Sequence, residues 1–139
     1  MGARRIRLGV DGVTALAELL EALAPRTTEA FWQALPIETT LTHAKWSGQA
    51  CFLQPGDGPL RGIDALENPV CSIYPGYLVA RPRGSELLIA YGPAEYRWHL
   101  GTDYVTRVAR VVDNGAELRR VLARMHDEGD KRITITRVA

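Results

Sequence analysis

The sequence has few of the residues that build disulfide-rich or metal-binding domains. Cys51 and Cys71 are its only cysteines, and it has three histidines. Two cysteines make neither a disulfide framework nor a four-ligand zinc site, and His43 shares no ligand spacing with them. No glycine-rich phosphate-binding motif carries the lysine that it needs. We therefore expect no metal and no cofactor, and we expect both thiols to stay reduced in the cytoplasm.

Long apolar runs and an excess of one charge are also missing. No stretch approaches the roughly 20 apolar residues of a membrane span, and the first five residues lack the apolar run that follows in a signal peptide. Seventeen Lys and Arg stand against sixteen Asp and Glu, a net charge of +1, which favours neither a nucleic-acid nor a membrane partner. The 139 residues, 46% hydrophobic and 24% charged, predict one globular domain over residues 1–139.

What the sequence does contain is a series of short strand patterns. Residues 5–10 alternate between arginine or glycine and aliphatic residues, and the Asp11-Gly12 dipeptide that follows suits a tight hairpin turn. Residues 13–20 are therefore predicted to return as a strand, although their alanine and leucine content also favours a helix. Further strands are predicted over residues 37–46, 49–53, 77–80, 86–91, 104–112 and 131–138.

Two helices complete the predicted elements. Pro25 suits the first turn of a helix, and Pro36 ends it. Asn114 and Glu117 form a predicted capping box for the second helix. An apolar stripe at helical spacing follows them: Leu118, Val121, Leu122 and Met125. Residues 54–75 are predicted to be irregular. The predicted fold class is mainly β, a small closed antiparallel β-barrel with two covering α-helices.

Three short stretches match one known family in the same order along the chain. They are residues 24–31 (APRTTEAF), residues 98–105 (WHLGTDYV), and residues 108–113 with 131–135 (VARVVD and KRITI). These stretches resemble the first helix, a late segment and the closing strands of cyclophilin. The resemblance implies a cyclophilin-like barrel over nearly the whole chain. The arginine-containing motif of the prolyl isomerases has no counterpart between residues 43 and 58, so we expect little prolyl isomerase activity.

A second set of motifs gives a closer resemblance. Residues 29–32 (EAFW), residues 43–48 (HAKWSG) and Glu86 shortly before Tyr91-Gly92 together resemble a bacterial family of small cyclophilin-like proteins, long known as a domain of unknown function. Related cyclophilin-fold enzymes, such as cucumopine synthase and a cyclase of streptonigrin biosynthesis, perform Pictet–Spengler condensations. The resemblance implies an enzyme of specialised metabolism that joins a tryptophan-like arylethylamine to an aldehyde and forms a tetrahydro-β-carboline. We expect a homo-oligomer such as a homodimer.

Two other functions stay open at this point. One is a non-catalytic module that uses the same pocket to bind a peptide or a small metabolite. The other is a hydrolase or isomerase that acts on rings derived from amino acids.

Three polar residues are predicted to be catalytic. Glu86 opens a predicted strand, where its carboxylate can take the ring proton as a base; the alternative is a solvated strand end. His43 has an ordinary pKa of about 6.5, which suits a proton shuttle; the alternative is a core histidine. Asp103 lies where the resemblance places a pocket histidine of cyclophilin. It is predicted to be a second carboxylate or an anchor for a substrate ammonium, with a turn-capping loop residue as the alternative.

Six further side chains are predicted to bind the substrate. Aromatic rings can stack on an indole or hold a cation, and an arginine can bind a carboxylate through its planar fork. The alternatives are core packing for the rings and simple exposure for the arginine. The predicted binding residues are Trp46, Tyr74, Tyr91, Trp98, Tyr104 and Arg97.

Overall fold

The computed structural model describes residues 2–53, 60, 63, 65–82 and 86–138. The helices in these residues are α1 (Pro25–Ala34) and α2 (Gly115–Glu128). The strands are β1 (Arg5–Val10), β2 (Val13–Leu19), β3 (Ile37–His43), β4 (Gly48–Leu53), β5 (Ser72–Ile73), β6 (Tyr77–Arg81), β7 (Glu86–Glu95), β8 (Arg97–Trp98), β9 (Gly101–Thr102), β10 (Thr106–Asp113) and β11 (Lys131–Arg137).

Eight of the strands close into a barrel. Their order is β4-β3-β11-β1-β2-β10-β6-β7, each neighbouring pair is antiparallel, and β4 also pairs with β7. Strand β5 adds to the far end of β7, and β8 and β9 form a separate hairpin. The predicted fold class, a mainly β closed antiparallel barrel with two helices, is confirmed.

The first hairpin shows why residues 13–19 form a strand rather than the competing helix. Asp11 and Gly12 both have a positive φ, 51° and 82° respectively, as a two-residue type I′ turn requires. This turn pairs Val10 with Val13. Every second side chain of β2 is then buried, which the period of a strand allows and the period of a helix does not.

The barrel interior is the main hydrophobic core, and both helices pack into it. Leu8, Leu41, Leu87 and Ile135 are each 0% exposed and come from four different strands. Helix α1 contributes Phe31 to the same core. Helix α2 contributes the predicted apolar stripe, which is confirmed: Leu118, Val121, Leu122 and Met125.

The predicted capping box at the start of α2 is wrong. Asn114 lies in the left-handed region with a φ of 60° and makes no side-chain cap. Its amide instead donates a hydrogen bond to the backbone oxygen of Thr14, 2.9 Å away, and Glu117 forms an ion pair with Arg120. The asparagine therefore ties the start of α2 to β2, because the left-handed backbone turns its side chain away from the helix.

A second cluster of buried residues lies on the outer face of the barrel. Strand side chains alternate between faces, and Leu88 and Ala90 of β7 do not belong to the interior core. They pack instead against Ile73, Tyr96 and Val105, which come from the segments that cover this outer face. The outer face of β7 is therefore a buried surface, and it positions the candidate site.

Several element boundaries differ from the predicted ones. Strand β3 ends at His43 rather than at residue 46, because a turn begins at Ala44, whose carbonyl oxygen accepts the N–H of Ser47 at 2.9 Å. Strand β7 runs on to Glu95 because its far end pairs with β5. The short strands β5, β8 and β9 were not predicted, and β10 begins at Thr106.

Parts of two predicted loops lie outside the described residues. They are residues 54–59, 61, 62 and 64 of the irregular segment and residues 83–85 of the turn between β6 and β7. Neither helix in the described part of the chain has the length and hydropathy that a transmembrane span requires.

Candidate functional site

Two charged residues face each other where β6 ends and β7 begins. The strand register pairs Arg81 with Glu86, and Glu86 lies on the same side of β7 as Leu88, so both charged side chains belong to the outer face. The segment after β7 folds back over this face, held by a hydrogen bond of 2.8 Å from the N–H of Tyr96 to the carbonyl oxygen of Cys71. Tyr96, 2% exposed, is thereby buried beside both charges.

We refer to Arg81, Glu86, Tyr96, Trp98 and Asp103 as the Arg81 cluster. The guanidinium of Arg81 donates from Nη1 to the Tyr96 hydroxyl (3.1 Å) and from Nη2 to Oδ2 of Asp103 (2.9 Å). Its Cζ lies 4.5 Å from the centre of the Trp98 ring, within the range of a cation–π contact. These three contacts fix the guanidinium, whose side chain is 12% exposed.

The two carboxylates of the Arg81 cluster have different partners. Asp103 forms an ion pair with Arg81 and accepts the backbone N–H of Tyr104 at 2.8 Å. Glu86 accepts a hydrogen bond from the Tyr96 hydroxyl, which lies 3.3 Å from Oε1 and 3.4 Å from Oε2, and it has no ion pair within the described ranges. Asp103 therefore holds Arg81 in place, whereas Glu86 keeps lone pairs that can accept a proton.

The hydroxyl of Tyr96 is kept in its protonated form. Burial raises its pKa and is the largest effect; the hydrogen bond from Arg81 lowers it, and the negative charge of Glu86 raises it again. A phenol with a raised pKa stays a hydrogen-bond donor at neutral pH. Tyr96 is thus suited to hold the Glu86 carboxylate in one position.

A separate open groove contains three of the predicted binding residues, and we call it the aromatic groove. Its volume is about 730 Å³, within the usual range for small-molecule sites. The buried Ser47 holds the groove together, because its Oγ accepts the N–H of Arg97 at 3.0 Å and its carbonyl oxygen accepts the N–H of Glu95 at 2.9 Å. The lining residues are Lys45, Trp46, Ser47, Gly48, Ser72, Ile73, Tyr74, Pro75, Pro93, Ala94, Glu95 and Arg97.

His43 and Tyr91 lie in a third place, where the barrel interior meets α2. Nε2 of His43 and the hydroxyl oxygen of Tyr91 are 2.6 Å apart, and the ring of His126 on α2 is 5.3 Å from the His43 ring. Burial lowers the pKa of His43, and the positive charges of His126 and Lys45 lower it further.

The structure does not bring His43 together with Glu86. Tyr91 is five residues from Glu86 along β7, about 17 Å of strand at 3.3 Å per residue, and an odd spacing places the two side chains on opposite faces. Tyr91 packs against the interior core, so its partner His43 is separated from Glu86 by the wall of the barrel. The predicted proton shuttle stays a prediction that no contact in the described structure supports.

The predicted site residues are therefore divided among three places. Glu86, Asp103 and Trp98 meet in the Arg81 cluster, and Tyr104 follows it with a ring that is 53% exposed. The aromatic groove contains Trp46, Tyr74 and Arg97, and the interior contains His43 and Tyr91.

Two members of the cluster, Arg81 and Tyr96, were not among the predicted site residues. The sequence contains a signal for Arg81, because Arg81 and Glu86 have opposite charges and flank the turn of a predicted hairpin. Cross-strand pairs of opposite charge are favourable in antiparallel sheets. Tyr96 gave no comparable signal, since its position depends on how the segment after β7 folds back.

Known proteins resemble the chain in sequence profile and in fold. The profile of a family described as a protein of unknown function, DUF3830, matches residues 6–137. None of the curated protein sequences matches the chain. A solved structure of McbB in complex with tryptophan is 20% identical, with a TM-score of 0.76 over 95% of this chain and 44% of that one. The chain thus spans less than half the length of McbB.

Two further solved structures cover both chains almost completely. The solution structure of the hypothetical protein AF2241 from Archaeoglobus fulgidus is 18% identical, with a TM-score of 0.67 over 98% of this chain and 95% of that one. A cyclophilin-type peptidyl-prolyl cis-trans isomerase from Cryptosporidium parvum is 13% identical, with a TM-score of 0.59 over 98% of each chain. At these identities the likenesses show the fold alone, and the fold is cyclophilin-like, as predicted.

Proposed function

The chain belongs to the DUF3830 family and has the cyclophilin-like fold, and we propose that it is an enzyme that performs a Pictet–Spengler condensation. Its substrates are a tryptophan-like arylethylamine and an aldehyde, and its product is a tetrahydro-β-carboline. The observation that carries the proposal is the carboxylate of Glu86, which has a neutral hydrogen-bond donor and no ion pair in the described chain. The fold likeness to McbB, solved with tryptophan, supports an aromatic amine as ligand.

The reaction requires a group that stabilises positive charge and then removes a proton. The amine and the aldehyde form an imine with loss of water, and protonation gives an iminium ion. The aromatic ring attacks the iminium carbon, which forms the new C–C bond and leaves a cationic ring. Loss of the proton from the attacked ring carbon restores aromaticity. A fixed carboxylate serves both needs, because it lowers the energy of the cation and accepts the proton.

The other members of the Arg81 cluster support Glu86 as positioning residues. Tyr96 donates to the Glu86 carboxylate and restrains its rotation. Asp103 forms the ion pair with Arg81, so Asp103 rather than Glu86 neutralises the charge of the guanidinium. Trp98, stacked against Arg81, gives the site an aromatic ring against which a substrate indole can pack.

The proposal is tested by mixing tryptamine or tryptophan with a panel of aldehydes and following the tetrahydro-β-carboline by mass and absorbance. Glu86→Gln keeps the shape of the side chain and removes the base, so turnover should fall by about 100-fold or more, while substrate binding persists. Glu38→Gln is the matched control, because it removes a carboxylate that is 66% exposed on β3, and it should leave turnover unchanged. Full activity in Glu86→Gln would exclude Glu86 as the base.

The aromatic groove favours one alternative function, a binding module without catalysis. The groove has the volume of a small-molecule site, and Glu95, the carboxylate among its described lining residues, is already paired with Arg97 at 3.1 Å. Wild-type rates equal to those of buffer across the aldehyde panel, together with measurable ligand binding, would favour this alternative over the cyclase.

A further inference from the structure

We propose that the aromatic groove is a ligand site in its own right, separate from the Arg81 cluster, and that it binds a planar aromatic carboxylate. This inference does not depend on the proposed reaction, since it concerns a different part of the surface. It is carried by the aromatic walls of the groove, by its charge and by its distance from Glu86.

The two aromatic walls of the groove, the rings of Trp46 and Tyr74, each contact a second aromatic ring and remain exposed. The ring of Trp46 packs on the ring of Phe52 with centroids 5.5 Å apart, and the ring of Tyr74 packs on Tyr77 at 6.2 Å. Trp46 is nevertheless 51% exposed and Tyr74 58% exposed. An aromatic ring that a neighbouring ring restrains, and that stays about half exposed, can stack on a flat ligand without losing much side-chain entropy.

The charge of the groove favours an anion. Arg97 and Glu95 neutralise each other in an ion pair of 3.1 Å. The side-chain ammonium of Lys45, on the same groove, has no hydrogen bond or ion pair to any residue of the described ranges. The described lining residues therefore place one uncompensated positive charge beside two exposed rings, which is complementary to a carboxylate attached to an aromatic ring.

The groove and Glu86 lie at opposite ends of β7. Ala94 lines the groove and pairs with Gly48 of β4, whereas Leu87, next to Glu86, pairs with Leu53. The five residue steps from Gly48 to Leu53 span about 17 Å at 3.3 Å per residue. A ligand held by Lys45, Trp46 and Tyr74 is therefore bound away from the proposed base.

Nuclear magnetic resonance of the ¹⁵N-labelled full chain tests the proposal with indole-3-acetate as the probe and indole-3-acetamide as its neutral match. The amide signals of residues 45–48, 72–74 and 94–97 should shift with indole-3-acetate, and indole-3-acetamide should bind roughly fivefold more weakly. Lys45→Gln should remove this preference for the acid. Arg132→Gln, which removes an equal charge from a 62% exposed side chain on β11, should leave the preference intact.

A second variant examines the walls independently of the charge. Tyr74→Leu should weaken the acid and the amide by the same factor, because it removes a stacking surface that both ligands use. Shifts confined to the Arg81 cluster, no shifts up to about 10 mM probe, or equal binding of acid and amide would each overturn the proposal. The same titration in Glu86→Gln should be unchanged, so a failure of the proposed reaction would not be mistaken for a failure of the groove site.

Discussion

Replacing Tyr96 by phenylalanine tests whether a single hydroxyl holds the Arg81 cluster together. The ring is 2% exposed, and phenylalanine fills the same space, so only the hydroxyl is lost. That hydroxyl accepts from Arg81 at 3.1 Å and donates to Glu86 at 3.3 Å. Its removal therefore leaves a cation and an anion each without one hydrogen-bond partner.

We expect the free energy of unfolding to fall by about 2 kcal/mol. A hydrogen bond to a charged group contributes about 1.5–3 kcal/mol. The side chain of Arg81 is 12% exposed, so water cannot fully replace the hydrogen bond that it loses. Glu86 is less enclosed, so water compensates part of its loss. For a chain of this length a loss of 1 kcal/mol lowers Tm by about 3–5 °C, so Tm should fall by about 6–10 °C.

The measurement is a urea titration supported by calorimetry, with Tyr74→Phe as the matched control. The Tyr74 hydroxyl has no hydrogen bond within the described residues, and the side chain is 58% exposed, so that variant should change stability by less than about 0.5 kcal/mol. A Tyr96→Phe variant with an unchanged urea midpoint would refute the reasoning. So would equal losses of stability in the two variants.

Two further substitutions and one activity assay have expected outcomes. Because the pKa of His43 is lowered in the folded state, the unfolded chain binds that proton first. Neutral His43 therefore contributes free energy of unfolding above about pH 6.5, and this contribution is lost as the pH falls through the pKa of the folded state. The urea midpoint should fall less between pH 8 and about pH 5 in His43→Gln than in the wild type, and equal falls would contradict this. Ile133→Asp places a carboxylate at a position that is 1% exposed, so it should lower the free energy of unfolding by several kcal/mol; an unchanged Tm would contradict the inward assignment. Prolyl isomerase activity in a chymotrypsin-coupled assay should stay at background, because the guanidinium of Arg81 already donates to Tyr96 and Asp103; turnover comparable with that of a cyclophilin would contradict this.

The elements that the sequence predicted well have local signals. The Asp11-Gly12 turn determines the first hairpin, because its backbone conformation decides between strand and helix for an alanine-rich segment. The missed strands lack such signals. Strand β5 is two residues long, and its register pairs Ser72 with Glu95, a partner 23 residues away that no window along the sequence contains.

The sequence predicts the two carboxylates of the candidate site, but it does not predict how they are joined. Family resemblance pointed to Glu86 and Asp103, and the structure joins them through Arg81 and Tyr96. That junction requires both the register of the β6–β7 hairpin and the return of the chain over the outer face. The ordinary pKa of an imidazole predicts a proton shuttle at His43, whereas the alternation of β7 places His43 and Glu86 on opposite faces of the barrel wall.

The position of β11 has a consequence for how the chain folds as it is synthesised. This strand follows all the other described strands in the sequence, yet it lies between β1 and β3, pairing Ile6 with Arg137 and Ile37 with Ile135. Until it leaves the exit tunnel, β1 and β3 each present an unpaired edge, which is a template for association with other chains. Contacts between segments that are far apart in the sequence also form slowly. The barrel therefore cannot close before β11 pairs with both strands, and until then the edges of β1 and β3 are open to intermolecular pairing.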